Sequence, residues 1–275
     1  MAILLCLPGL EVAIEVDGQR AREYNVDPEE VQKCAPNELS FHRIPQTDRH
    51  VPYVLKYIEA KPGKPFCFVL DATNFNVKFD DMVGAKEAKI STQVSMDGFK
   101  TRTRRMLIGR VVKRDCCKTG NDASGWKKHT FRFGRLNVVE GNPGTSQLRP
   151  QQAQQCGSLK VILFLKVDTG RFALSKGSSG PMPIHSIGEK ELKGRAVDSK
   201  VEFDSEPTDR PRSVEQHQFV DPQYRPIAVF EFRYRTMEGL HQELIVPHPV
   251  VDVKGEDKKQ QVIDVEDEYE KEGKF

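Results

Sequence analysis

Two stretches of this 275-residue chain concentrate side chains able to do chemistry. The first is Lys100–Arg135, with twelve Lys/Arg against two acids, Asp115 and Asp122, and an adjacent pair of thiols, Cys116 and Cys117. Its cations include Lys100, Arg102, Arg104, Arg105, Arg110, Lys113, Arg114 and Lys118. Cations at that density bind phosphates if folding gathers them on one face. Aromatic stacking partners are few (Phe99, Trp126 and Phe131), so readout of single-stranded bases is unsupported. A solvated strand face and a nuclear-import signal account for the same residues and rank ahead of nucleic-acid binding.

The second stretch is Val262-Ile263-Asp264-Val265-Glu266-Asp267-Glu268. Two β-branched apolar residues, an acid, a third apolar residue and a run of acids have the form of a SUMO-interacting motif. The physics of such motifs is strand addition. An extended backbone pairs with an open sheet edge, the apolar side chains fill a shallow groove, and the acids meet a basic rim. β-Branched residues already favour the extended backbone this needs. Two other readings remain open: a chance match, and a last strand of the folded domain. The surrounding tail, residues 250–275, is charged and aperiodic, and is expected to be disordered.

Other chemistry finds less support. There is no G-x-S-x-G elbow, no Walker A loop and no G-x-G-x-x-G. The seven His (42, 50, 129, 185, 217, 241 and 248) are scattered, with no pair at helical spacing. Cys116 and Cys117 lack the C-x₂₋₄-C spacing of a zinc site. On a strand they point to opposite faces, and two ordinary loop thiols are the favoured reading; a stress-sensing pair is the alternative, since Arg114 and Lys118 beside them would favour a thiolate. No catalytic residue, metal or cofactor is therefore expected, and an enzyme is the least favoured reading.

The elements that must carry these stretches read as short strands. Ser158–Val167 (SLKVILFLKV) has Leu159, Val161, Leu163, Leu165 and Val167 on one face and Ile162 and Phe164 on the other. Two apolar faces mark a central strand. Leu10–Val16 and Ala88–Met96 alternate apolar and polar, and each runs into an Asp-Gly turn. Val51–Ala60 and Pro65–Asp71 flank Lys61-Pro-Gly-Lys64 and read as a hairpin. Lys127–Leu136, Ala196–Phe203 and Ile227–Arg235 read as strands, Ile187–Leu192 as a short helix, and Thr236 as the N-cap of another. Lys113–Gly125 reads as a polar loop. Mobile insertions are expected near 138–157, 168–183 and 204–222. The sum is an all-β chain, an antiparallel β-sandwich with long loops, in one domain over residues 1–249.

Five ordered segments of this pattern, GLEVAIEVDGQRAREYN, YIEAKPGKPFCFVLD, VSMDG, ELKGRAV and PIAVFEFRYRTMEGL, resemble a large group of uncharacterised fungal proteins that share a domain of unknown function. The resemblance spans nearly the whole chain except the tail. It implies an all-β, sandwich-like domain in a soluble fungal protein and carries no catalytic or binding residues with it. Lys113–Gly125 departs from the pattern by being more basic.

Bulk composition fits this picture. The net charge is +2, with 37% hydrophobic and 30% charged residues, so the chain is polarised rather than polyelectrolytic. The N-terminus lacks a basic region ahead of its apolar run, and no apolar run approaches the ~18 residues of a membrane span. With no N-x-S/T site either, an intracellular, nuclear or nucleocytoplasmic protein with free thiols is expected. Its partner is expected to be a protein, with SUMO or a sumoylated protein as the leading candidate. A nucleic-acid or chromatin partner for the basic stretch is the alternative, and no membrane is expected.

Overall fold

A computed structural model describes residues 2–4, 7–29, 51–75, 88–139, 150–173, 180–181, 184, 186–192, 195–210, 214–221 and 224–248. The tail residues Val262, Ile263, Asp264, Val265, Glu266, Asp267 and Glu268 lie outside them, as do Cys6 and Cys34. Strand dominates the described residues, and the expected all-β, antiparallel class holds.

β1 (Ala2–Ile3) pairs with β2 (Glu11–Val16), and Asp17-Gly18 turns β2 into β3 (Gln19–Arg20). Next come β4 (Glu23–Asn25), β5 (Tyr53–Glu59) and β6 (Phe66–Asp71). β7 (Lys89–Met96) turns at Asp97-Gly98 into β8 (Phe99–Lys100) and β9 (Arg104–Arg105). Asp97 and Gly98 have φ of 47° and 83°, the two left-handed residues of a type I′ turn. β10 (Val111–Arg114), β11 (Cys116–Asn121), β12 (Gly125–Arg135) and β13 (Asn137–Val139) follow, then α1 (Pro150–Gln155) and β14 (Ser158–Ala173). β15 (Ser186–Gly188), α2 (Glu189–Leu192), β16 (Ser199–Thr208), β17 (Val214–Phe219), β18 (Ala228–Arg235) and α3 (Met237–Gln242) complete the order. Thr236 Oγ1 accepts from the Gly239 N–H and caps α3 as expected.

Two layers enclose one core. The order β4-β5-β18-β14-β7-β8 forms the larger sheet, with β17 added on β14 and β9 on β7. The facing layer is built from β1-β2-β6-β10, with β3 on β2, and from β11-β12-β16. Val12, Ile14, Phe66, Phe68, Phe131, Phe133 and Val201 of that layer share a single buried cluster with Ile90, Val94, Leu159, Val161, Leu163, Phe230 and Phe232 of the larger sheet. β14 is central as expected. β7 and β18 flank it, Leu159 to Leu165 face the main core, and Ile162 and Phe164 join Val51 and Val229 on the opposite face. The sandwich is not purely antiparallel, because β5–β18 and β13–β15 are parallel pairs.

Several local expectations are corrected. β5 and β6 form no hairpin. β5 lies between β4 and β18, and β6 between β2 and β10. The turn between them bonds to β12 instead, with Gly63 N–H donating to Phe133 O at 2.7 Å and Phe133 N–H to Lys64 O at 3.0 Å. It passes the chain from one layer to the other. Lys113–Gly125 is not a loop but largely strands β10 and β11, whose polar sequence hides an inward row of Arg114, Cys117 and Thr119. Nor is 204–222 simply a mobile insertion, although 211–213 and 222 lie outside the described residues. β16 continues to Thr208 against β12, and β17 pairs with β14. β16 is held by backbone pairing and by cross-strand charges, Lys128–Glu206 at 3.0 Å and Arg132–Asp204 at 3.3 Å, which carry no apolar signature. Likewise β14 runs through Ala173 into the expected insertion 168–183. Of 138–157, residues 140–149 lie outside the described residues. Beyond them Ala153 and Cys156 pack with Leu136, Ile184, Ile187, Leu192 and Val197 in a second small core.

Candidate interaction edge

The basic stretch wraps one end of the sandwich. At this end β8 and β9 close the larger sheet, β10 closes the β1-β2-β6-β10 sheet, and β11 closes the third. Met106 is buried, and its N–H donates to Ile90 O at 2.8 Å, which fixes where the chain leaves β9. The next residues turn outward. Gly109 N–H reaches Ala72 O at 2.8 Å and Ala72 N–H reaches Arg110 O at 3.1 Å, which aligns β10 on β6. The turn leaves Leu107, Ile108 and Val111 at 46%, 57% and 50% exposure, an apolar group on a surface otherwise rich in cations.

The cations divide into two sets. Lys100, Arg102, Arg104, Arg105, Arg110 and Lys113 are exposed, and Lys118 is half-buried opposite Lys128 on β12. Lys113 is tied down, its Nζ 2.6 Å from Glu15 Oε2 on β2. That bond holds the Glu15 carboxyl below its ordinary range and the Lys113 ammonium above its own. Among the described residues, no ion pair engages Arg104, Arg105 or Arg110.

Arg114 does not belong to the basic surface, contrary to the sequence reading. It is buried and points between the layers. Its guanidinium donates to Thr92 O at 3.1 Å, to Thr92 Oγ1, and to Arg104 O at 3.4 Å. The side chain thus clamps β10 to β7 and β9 across the open end of the sandwich. Among the described residues, Nε has no hydrogen-bond partner and no carboxylate pairs with the guanidinium, and burial and then the Arg104 charge pull the pKa down to about 9. The period-2 pattern of β10 was the available signal: with Val111 and Lys113 outward, Arg114 must face in.

The thiols lie on a strand rather than in a loop, and they fit the ordinary pair and not the reactive alternative. Cys117 is buried, Cys116 is half-buried on the other face, and both are pushed up rather than activated. Burial is the largest cause in each, and it takes Cys117 to about 12. Arg114 is too occupied with Thr92 to stabilise a thiolate, and Asp115 opposes one at Cys116.

Two polar arrays went unread in the sequence. His129 on β12 lies between Ser205 Oγ, 2.7 Å from Nδ1, and Thr119 Oγ1, 2.6 Å from Nε2. Burial holds the ring pKa below its ordinary value, with Lys127 adding to the effect. The serine–histidine contact looks like a nucleophile and its base. Yet the second ring nitrogen meets a hydroxyl rather than a carboxylate, so nothing there stabilises the imidazolium that general-base catalysis forms. The other array, Asp168 with His217 Nδ1 at 2.6 Å and with Lys89, joins β14, β17 and β7. No local motif marks either set, because the partners meet only through strand register. Among the described residues, no group of three or more His, Cys, Asp and Glu could hold a metal ion.

Apolar side chains, exposed arginines and, among the described residues, an unpaired strand edge thus lie together at this end of the sandwich. Neither the curated proteins nor the solved structures contain a match to the chain. A family model does match, that of a domain of unknown function (DUF7918), over residues 9–249, and the chain belongs to that family.

Proposed function

We propose that this protein is an intracellular, non-enzymatic interaction module that binds SUMO or a sumoylated partner through Val262–Glu268. The observation that carries the reading is the position of the motif. The family domain ends at residue 249, so Val262–Glu268 lies beyond it. The sequence supplies β-branched residues for a shallow groove and acids for a basic rim. The described domain adds an exposed strand edge with apolar side chains, the kind of surface an interaction module uses. A segment this short buries little area and must order its backbone on binding, so the affinity is on the order of micromolar.

Titration of isotope-labelled SUMO into the full chain tests this. Shifts on SUMO confined to one sheet edge are expected, and they disappear with the combined substitutions Val262→Ala, Ile263→Ala and Val265→Ala. Equal binding by the substituted chain would end the proposal.

A second reading has its own support, the exposed Lys100, Arg104, Arg105 and Arg110 along one end of the sandwich. It makes the protein a nucleic-acid or chromatin-associated module. Phosphate-driven binding to a DNA duplex would then fall steeply as salt rises. Motif-driven binding to SUMO weakens only modestly.

A further inference from the structure

We infer that the free edge of β10, with Leu107, Ile108 and Val111 and the cations around them, is a docking site for the chain's own tail segment Val262–Glu268. Among the described residues, β10 pairs with β6 on one side and no strand pairs with it on the other. An edge strand directs backbone N–H and C=O groups outward and templates the addition of another strand. Proteins usually protect such edges with charge, and here Arg104, Arg105 and Arg110 are exposed and without an ion pair among the described residues, while Lys113 is paired with Glu15. The apolar exposure lies among them.

The occupant is chosen by complementarity. It needs a few β-branched residues to cover Leu107, Ile108 and Val111, and acids to meet the arginines. Val262-Ile263-Asp264-Val265 followed by Glu266-Asp267-Glu268 has that composition, and β10 is four residues long, the length of the apolar half. Among the described residues, Glu15 is taken up by Lys113 and by the Cys67 thiol. Asp71, opposite Val111 on β6, is engaged by Thr73, and Asp115 lies past the end of β10, so the arginines await an acidic partner.

Reach permits it. His248 stacks on His241 of α3 at 4.8 Å, and α3 packs on β18 and β5. From β5 to β9 the larger sheet crosses β18, β14 and β7, four steps of ~4.8 Å or roughly 20 Å, and β10 lies in the facing layer, about 10 Å further. The stretch from His248 to Val262 extends to about 45 Å. The docked tail buries the residues that SUMO would need, so the edge acts as an internal competitor for that ligand. The docking itself does not depend on the SUMO reading.

Hydrogen exchange on the full chain at low salt, with no partner added, tests the docking. Amides of Val262–Val265 and of Val111–Lys113 are expected to exchange ~10-fold or more slowly than in a full chain carrying Arg104→Glu, Arg105→Glu and Arg110→Glu. A second full chain, with Glu266→Lys, Asp267→Lys and Glu268→Lys, leaves the folded domain untouched and is expected to lose the same protection. High salt is expected to reduce protection in the unsubstituted chain. Free-peptide exchange rates at Val262–Val265 in the unsubstituted chain at low salt would overturn the inference. So would protection that survives both sets of substitutions, or that rises with protein concentration, which would assign the edge to a second copy. Slowing at β10 by a DNA duplex, with no response to the tail substitutions, would assign it to nucleic acid. Because SUMO is absent, its failure to bind in the titration above leaves this result intact.

Discussion

The hydroxyl of Tyr234, near the end of β18, donates to the carboxylate of Asp97, in the turn after β7, at 2.6 Å and across 137 residues of chain. Both groups are buried, Tyr234 completely. The same carboxylate accepts the N–H of Gly157 at 2.9 Å, of Ser158 at 3.4 Å and of Val201 at 2.7 Å. One side chain thereby joins the β7–β8 turn, the start of β14, β16 and β18. Gly157 stands there with φ of 78°, and a Cβ would lie 2.6 Å from Arg235 Nη1, so the approach requires glycine. Burial pushes Asp97 above the ordinary carboxyl range, while its donors pull it back.

Removing either partner leaves buried polar atoms unmatched. Tyr234→Phe deletes one donor and is expected to cost about 1–3 kcal/mol. Asp97→Ala orphans three backbone N–H groups and the tyrosine hydroxyl together, and is expected to cost more than Tyr234→Phe. The double variant should cost less than the sum, because the two side chains share a bond. Urea unfolding of the four proteins measures this. Additive losses would show that the carboxylate and the hydroxyl do not act as a unit.

Leu163 gives a simpler case. It lies on β14 between Ala228 of β18 and Thr92 of β7, and is 0% exposed. Leu163→Ala removes three buried carbons and leaves a cavity in the main core, with an expected loss of ~2–5 kcal/mol by denaturant titration. A loss below ~0.5 kcal/mol, the range of surface changes, would contradict the central place of β14.

What the sequence disclosed follows from how local each signal is. The two-faced apolar pattern of Ser158–Val167, the Asp-Gly turns and the Thr236 cap are complete within a few residues, and each is found where its pattern puts it. The partner of a strand is not local. β5 and β6 have the composition of a hairpin, but each is apolar enough to need neighbours on both sides, and the turn between them serves to change layers. Polar strands are the second blind spot. β11, the end of β16 and β17 are held by backbone ladders and by cross-strand pairs such as Lys128–Glu206, so their hydrophilic composition reads as loop. At the candidate site the sequence located the basic stretch but not the division within it. Arg104 and Arg114 look equivalent in one dimension, and only register turns the second inward onto Thr92.

His129 supplies a pH signature. Its ring is buried between Ser205 and Thr119, and burial, with Lys127 adding, holds the folded-state pKa below the ordinary histidine value of 6.5. The unfolded chain therefore binds the extra proton first as pH falls. Between 6.5 and the lower folded value, the unfolded state holds more protons than the folded one, so stability rises with pH across that window and is lost on acidification. Below the folded value both states are protonated and the loss is complete. His129→Gln keeps a hydrogen-bonding side chain but cannot titrate. It is expected to be less stable than the parent at pH 7, because Gln does not reproduce the ring's packing against Phe203. The gap should narrow as pH falls from 7 to 5, since only the parent loses this contribution. Urea midpoints of the two proteins measured at half-unit steps check it. A gap that stays constant over that range would mean that the ring titrates alike in both states and that burial does not hold it neutral.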